Sequence, residues 1–306
     1  LASVSSPGER FALGTIRHEG AAVPVLVAAD RVIDLREAPL RARSVLDLLA
    51  AWDAALPVLE RLAASAAPGL AVGAPRWLPP VSGAAYVFCA AANYRSHLEE
   101  MAAVAGTAPP ATEPFFFVKT ARTTLLGDGE PIRLPARARA VDWEVELAVV
   151  VGRRGRHIAA AHAMDHVAGY TVFNDVSARD LNRRGDGPFS HDWLSGKCAD
   201  TFGPCGPVLL PARLVEDWRA LRLRLWVNGA LKQDAAAGEM LFGIEEQVAY
   251  LSRTLTLEPG DLIATGTPAG VGMARGEFLR PGDVVVAEVD EIGRLTNPVV
   301  AEGPAA

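Results

Sequence analysis

The chain of 306 residues has little cysteine, no dense basic run and no long apolar one. Its three cysteines, Cys89, Cys198 and Cys205, are odd in number and lack CxxC spacing. This excludes a disulfide framework and a zinc or dithiol motif, and leaves reduced thiols of minor structural weight. No window approaches the ~18 uninterrupted apolar residues of a membrane span, so a soluble globular chain is expected. A net charge of −6 without a Lys/Arg cluster argues against nucleic acid or an anionic membrane as partner and leaves a small molecule. GxSxG, HExxH, Walker A and GxGxxG are all missing, which removes the usual serine-hydrolase, zinc-peptidase and nucleotide-binding signatures. The terminus LASVSSPGER has neither a basic n-region nor an apolar h-region, so a cytoplasmic protein is expected.

The length suits one large domain, or a large one with a small companion. RFALGTI, AAVPVLVAA and RVIDL read as short strands between polar breaks, and SVLDLLAAW and ALPVLERLAASA as two short helices. PGLAVGAPRWLPPVSG is dense in Pro and Gly and marks a boundary, giving a small α/β part over residues 1–75 and a larger part over 76–306. In the larger part Asn93 to Ala103 is helical, TAPPATEP is loop, and FFFVK, VDWEVELAVVVG and GYTVFND are strands. IAAAHAMDHV is read as a helix between the last two, which suggests a β-α-β passage. LRLRLWVNG is a strand and EEQVAYLSRTL a helix; EPGD and RPGD turns launch DLIATG and DVVVAEVD.

The chemistry centres on residues 141–151. On a continuous strand Val141, Trp143, Val145, Leu147, Val149 and Val151 share one face, and Asp142, Glu144 and Glu146 the other. Neighbouring carboxylates on that face lie about 6.6 Å apart and repel by about 2.5 kcal/mol at an effective dielectric near 20. The same alternation describes a strand that merely wets its outer face. Asp175 shifts the balance, because it ends the next strand. If the two strands are neighbours, three carboxylates converge without His or Cys, and such hard oxygen donors suit Mg²⁺, Mn²⁺ or Ca²⁺ better than Zn²⁺.

His97 and Glu100 share one face of a helix, where a carboxylate beside an imidazole makes a general base; many solvated helices carry such a pair too. The proline-rich segment behind them suits a lid. Lys197 lies in the small-residue loop SGKCADTFGPCGP, either exposed or reaching into a site to stabilise negative charge. The turn TGTPAGVG, residues 265–272, exposes amides near Thr267 that could cradle a carboxylate. Arg179 and Asp180 read as an ion pair ahead of a substrate contact.

Together these segments resemble the fumarylacetoacetate hydrolase family. The matching pieces are NYRSHLEE (93–100), FFFVKT (115–120), DWEVELAVVVG (142–152), AGYTVFNDVSARDLN (168–182), GKCADTFGPCGPV (196–208), VNGALKQ (227–233), EPGDLIATGTPAGVG (258–272) and FLRPGDVVVAEVDEIGRLTNPV (278–299). The resemblance spans residues 80–300, with the small amino-terminal domain of many members before it. It implies an α+β fold, a mixed β-sandwich or β-roll with flanking helices, and a homodimer. By similarity Glu144, Glu146 and Asp175 are Mg²⁺ or Mn²⁺ ligands, His97 with Glu100 is a water-activating dyad, and Lys197 polarises a carbonyl. Thr267, Asn182, Gln233 and Arg179 would contact substrate. Asn182 stands where many members have Gln, and AAAGEM at 235–240 lacks the Thr usual after the Gln that Gln233 matches.

The resemblance implies metal-dependent C–C bond hydrolysis of a 2,4-dioxo acid of acylpyruvate or fumarylpyruvate type through an enolate, as the leading choice. Decarboxylation of an oxaloacetate-like acid and isomerisation of 2-hydroxyhepta-2,4-diene-1,7-dioate are alternatives on the same scaffold. A non-catalytic metal-containing binding protein is the remaining class.

Overall fold

A computed structural model describes residues 10–303 apart from 38, 72, 106–111, 184, 187 and 188. The first alternating segments form an antiparallel meander of β1 (Phe11–His18), β2 (Ala21–Ala28) and β3 (Arg31–Asp34). Helix α1 (Val45–Leu49) is capped by the Ser44 side chain, which accepts from the Asp47 amide. Helix α2 (Trp52–Ala64) buries Trp52, Ala55, Leu59 and Ala63, one stripe at helical spacing. Then come β4 (Arg76–Leu78), β5 (Tyr86–Ala91), α3 (Arg95–Ala105), β6 (Phe115–Thr120), α4 (Ala121–Thr124), β7 (Leu125–Leu126) and β8 (Ile132–Leu134). Most of the TAPPATEP loop and lid reading falls outside the described residues.

The segment expected as one strand over 141–152 is two, β9 (Val141–Asp142) and β10 (Val145–Val151). Side chains compete for the backbone at the break: the Trp143 amide donates to Asp142 Oδ1 and the Glu144 amide to Asn174 Oδ1. Strand β11 (Val167–Asn174) runs antiparallel to β10, so the connection is not the parallel β-α-β passage expected. Its helix, Ala160–His166, is of the tighter 3₁₀ type.

Next are β12 (Ser177–Ala178), α5 (Trp193–Lys197), β13 (Gly203–Pro211), β14 (Arg222–Val227), β15 (Ala230–Ala236) and α6 (Ile244–Thr254). The chain closes with β16 (Leu262–Ala264), α7 (Gly272–Arg275), β17 (Val284–Val289) and β18 (Gly293–Ala301), where β16 and β17 follow the two Pro-Gly-Asp turns. Among the described residues no helix is long and apolar enough to cross a membrane.

The fold is α+β. One sheet follows the order β3-β2-β1-β13-β11-β10-β16-β5-β6, with β4 on β1 and β7 on β13. A second has the order β15-β14-β17-β18-β8, and β9 pairs with β12. The amino-terminal meander enters the first sheet through Leu13 opposite Leu209. Every residue of β10 is buried, and the period of two sends its faces to different places. Val145, Leu147, Val149 and Val151 join one core with Leu223, Leu225, Ala287 and Val289 of the second sheet. Ala148 and Val150 join another with Leu48, Leu49 and Leu59 of α1 and α2. At about 1.5–3 kcal/mol for each fully buried aliphatic side chain, both faces hold β10 in register. That register fixes where Glu144 and Glu146 emerge.

Candidate active site

Val145 pairs with Asn174 and Glu146 with Phe173 across β10 and β11, and the Asp175 amide donates to the Glu144 carbonyl at 2.8 Å. Glu144, Glu146 and Asp175 therefore share a face, and one carboxylate oxygen from each lies within 4.8 Å of the others. They are 4 %, 1 % and 1 % exposed, so the reading of a wetted outer face is excluded. All three line a cavity of about 370 Å³.

Three cations meet this acidic floor. Lys197 Nζ lies 2.7 Å from Glu144 Oε2 and 2.6 Å from Asp175 Oδ2. It is the last residue of α5, buried, and not a loop lysine in solvent. Arg179 does not pair with Asp180. Its guanidinium reaches Asp142 Oδ2 at 2.9 Å and Glu144 Oε1 at 2.5 Å, while Asp180 accepts from the amides of Arg139 and Ala140. Lys119, not singled out in the sequence, is wholly buried and bonds to Asp175 and the Val176 carbonyl. Its signal was there: on β6 it shares a face with Phe117, so a lysine stands in an inward position.

Burial opposes the charge on Glu144, but Arg179 and then Lys197 outweigh it and hold the carboxyl well below its usual range. Lys197 is desolvated too, yet Asp175 and Glu144 raise its pKa. Glu146 is different. Burial, Asp175 and Glu144 all push its pKa well up, and the Gly266 amide, 2.8 Å from Oε2, opposes them only weakly. Three hard oxygen donors, one of them lacking a cationic partner among the described residues, fit a divalent metal ion. Such an ion would favour ionised Glu146 and compete with Lys197 for Glu144 and Asp175.

His97 lines the same cavity from α3, whose start is pinned by Asn93: its Nδ2 donates to the carbonyls of Phe242 and Thr265. Glu100 lies behind it, with Oε2 3.5 Å from His97 Nδ1. The Gly270 amide donates to both Glu100 oxygens, at 2.9 and 3.1 Å. Burial raises the Glu100 pKa, but these bonds, His97 first, bring it below the ordinary value.

The 265–272 turn does cradle carboxylates, but they are the chain's own. Besides Glu146 and Glu100 it holds Asp142, whose Oδ1 accepts from the Gly272 amide at 2.6 Å. Gly270 has φ +107°, and a Cβ there would lie 2.0 Å from the Lys232 carbonyl oxygen, so only glycine fits. Thr267 reaches the cavity wall while its hydroxyl donates to the Val145 carbonyl. Gln233 does not reach the cavity. It is buried behind Thr267, accepting from the Val145 amide and donating to Thr267 Oγ1 and the Pro268 carbonyl. Asn182 and Arg179 do line it. So do Phe117 and Trp193, stacked at 4.8 Å, which the sequence reading missed.

The profile of the fumarylacetoacetate hydrolase C-terminal family matches residues 86–300. A human relative named oxaloacetate tautomerase FAHD2A, mitochondrial, is 40 % identical over 264 residues, 86 % of this chain and 81 % of that protein. The crystal structure of a putative HpcE protein from Mycobacterium smegmatis superposes with a TM-score of 0.82 at 34 % identity, covering 96 % of this chain and all of that one. Maleylpyruvate hydrolase from Sphingobium sp. SYK-6, solved with manganese(II) and pyruvate, gives a TM-score of 0.76 at 28 % identity, covering 95 % of this chain and all of that one.

Proposed function

The chain belongs to the fumarylacetoacetate hydrolase family, and from that premise we propose a divalent-metal-dependent enzyme that interconverts keto and enol forms of an oxaloacetate-type 2-oxo acid. The observation that carries this reading is the pairing, in one cavity, of a buried carboxylate trio with the His97 imidazole, which is backed by the Glu100 carboxylate. Mg²⁺, Mn²⁺ or Ca²⁺ held by Glu144, Glu146 and Asp175 would supply Lewis acidity toward the 2-oxo carboxylate end.

The residues of the chain do the rest. Glu100 orients His97 through Nδ1, which leaves Nε2 as the base facing the cavity. His97 takes the proton from the carbon beside the carbonyl, and the electron pair moves onto the carbonyl oxygen. Lys197 stabilises that oxygen and the proton returns to it, so no atom is gained or lost. Arg179 keeps Glu144 ionised, and Gln233 fixes Thr267 in the wall. The oxaloacetate tautomerase name of the relatives supports this reading over the hydrolysis expected from the resemblance.

C–C hydrolysis of an acylpyruvate is the second reading, favoured by the His97–Glu100 pair, which can equally deprotonate water, and by the likeness to maleylpyruvate hydrolase. The test is to supply oxaloacetate enol and acetylpyruvate in turn, following enol absorbance and pyruvate release, with EDTA and then with Mg²⁺ or Mn²⁺. Enol loss that needs the metal and His97 supports the proposal. Enol loss undiminished in EDTA would sink it, and pyruvate release from acetylpyruvate alone would favour the second reading. Pairing as a homodimer is part of the proposal. The edge strand β6 exposes Phe115 and Val118, which a second copy would cover.

A further inference from the structure

We propose that the mouth of the cavity is a subsite for a second anionic group, where Arg183 and His191 receive the far carboxylate of a 2-oxo dicarboxylic acid. This rests on the enol-forming reading of the floor and specifies its substrate class.

The cavity's cations are not equally free. Lys197 and Arg179 already bond to Glu144, Asp175 and Asp142, whereas Arg183 also lines the cavity and among the described residues no carboxylate pairs with it. An exposed guanidinium that no described carboxylate neutralises is a natural partner for one. Arg183 and His191 are fixed side by side: they form an antiparallel bridge, and the Asp192 amide closes it at 2.9 Å on the Asn182 carbonyl. Residues directly opposite in such a bridge project to the same side.

A flat wall joins this mouth to the floor. His191 stacks on Trp193 at 5.9 Å and 13°, Trp193 on Phe117 at 4.8 Å and 10°, and Lys197 lies 4.9 Å over the Phe117 ring. Charge at both ends and aromatic faces between them match a molecule with an anionic group at each end and a planar, conjugated middle. An enolised 2-oxo diacid has that form. Asn182 adds a third contact. Its Oδ1 is buried beside the cavity with no hydrogen-bond partner among the described residues, so it would accept from an enol hydroxyl, or donate to a carboxylate with the amide turned over.

The test is calorimetric binding to the Mn²⁺-loaded chain of 2-oxoglutarate and of 2-oxopentanoate, the same carbon chain without the second carboxylate. The wild type should prefer the diacid by about tenfold, the worth of one charge-assisted hydrogen bond near 1.4 kcal/mol. Arg183→Gln should abolish the preference and Arg183→Lys keep part of it. Equal binding of both acids by the wild type, or a preference that survives Arg183→Gln, overturns the subsite even if oxaloacetate is converted. Should the wild type bind neither acid and leave oxaloacetate unconverted, the enol-forming reading fails and the subsite falls with it.

Discussion

Replacing Lys119 by Met should separate the stability of the acidic cluster from its capacity for metal. Lys119 is 0 % exposed, and its ammonium bonds to Asp175 and the Val176 carbonyl. Removing one partner of a buried ion pair costs about 3–5 kcal/mol. Asp175 keeps Lys197, which puts the loss near the lower end, about 3 kcal/mol without metal. At roughly 2 °C per kcal/mol for a large domain, the melting temperature in EDTA should fall by about 6 °C. The substitution also removes a positive charge beside a proposed ligand, so Mn²⁺ should bind the variant more tightly and restore most of the loss by mass action. Thermal unfolding of both proteins in EDTA and across a Mn²⁺ series reads both effects. An unchanged melting temperature in EDTA would show that Lys119 is not paired as described. A deficit that Mn²⁺ does not narrow would show that its charge has no bearing on the metal site.

Gly270→Ala should destabilise the chain by about 2–3 kcal/mol, through positive φ and the close Lys232 carbonyl, and should disable activity more than a remote substitution of equal cost. Urea unfolding with turnover on the same samples measures both. Glu100 has a pKa lowered on folding, so its contribution is complete above its ordinary 4.5 and fades as the pH falls below that value. Wild type and Glu100→Gln should therefore converge in stability in acid and diverge toward neutrality, as denaturation midpoints at several pH values would show; a constant gap would contradict this.

The carboxylate trio was legible because two properties of strands carry it: alternation places Glu144 and Glu146 on one face, and Asp175 directly follows the neighbouring strand. Helical spacing put His97 and Glu100 on one face, but the dyad role came only with the family resemblance, because solvated helices carry the same spacing. Partners set by register between distant segments were not legible. Lys119 meets Asp175 only because β5 and β6 lie at the edge of the sheet that carries β10 and β11. Arg179 chose Asp142 and Glu144 over adjacent Asp180 because the amides of Arg139 and Ala140 claim Asp180. The strand break at Trp143 arose likewise, from side-chain acceptors that composition does not reveal.

The 265–272 turn binds Glu146, Glu100 and Asp142 through backbone amides, so it welds the proposed metal half of the site to the acid–base half. Backbone donors do not change when a side chain mutates. A lineage carrying this turn therefore inherits its reactive core nearly as one unit, and new substrates have to be gained at other parts of the cavity lining. There the segment around Arg183 and His191 can vary without disturbing a single one of those bonds.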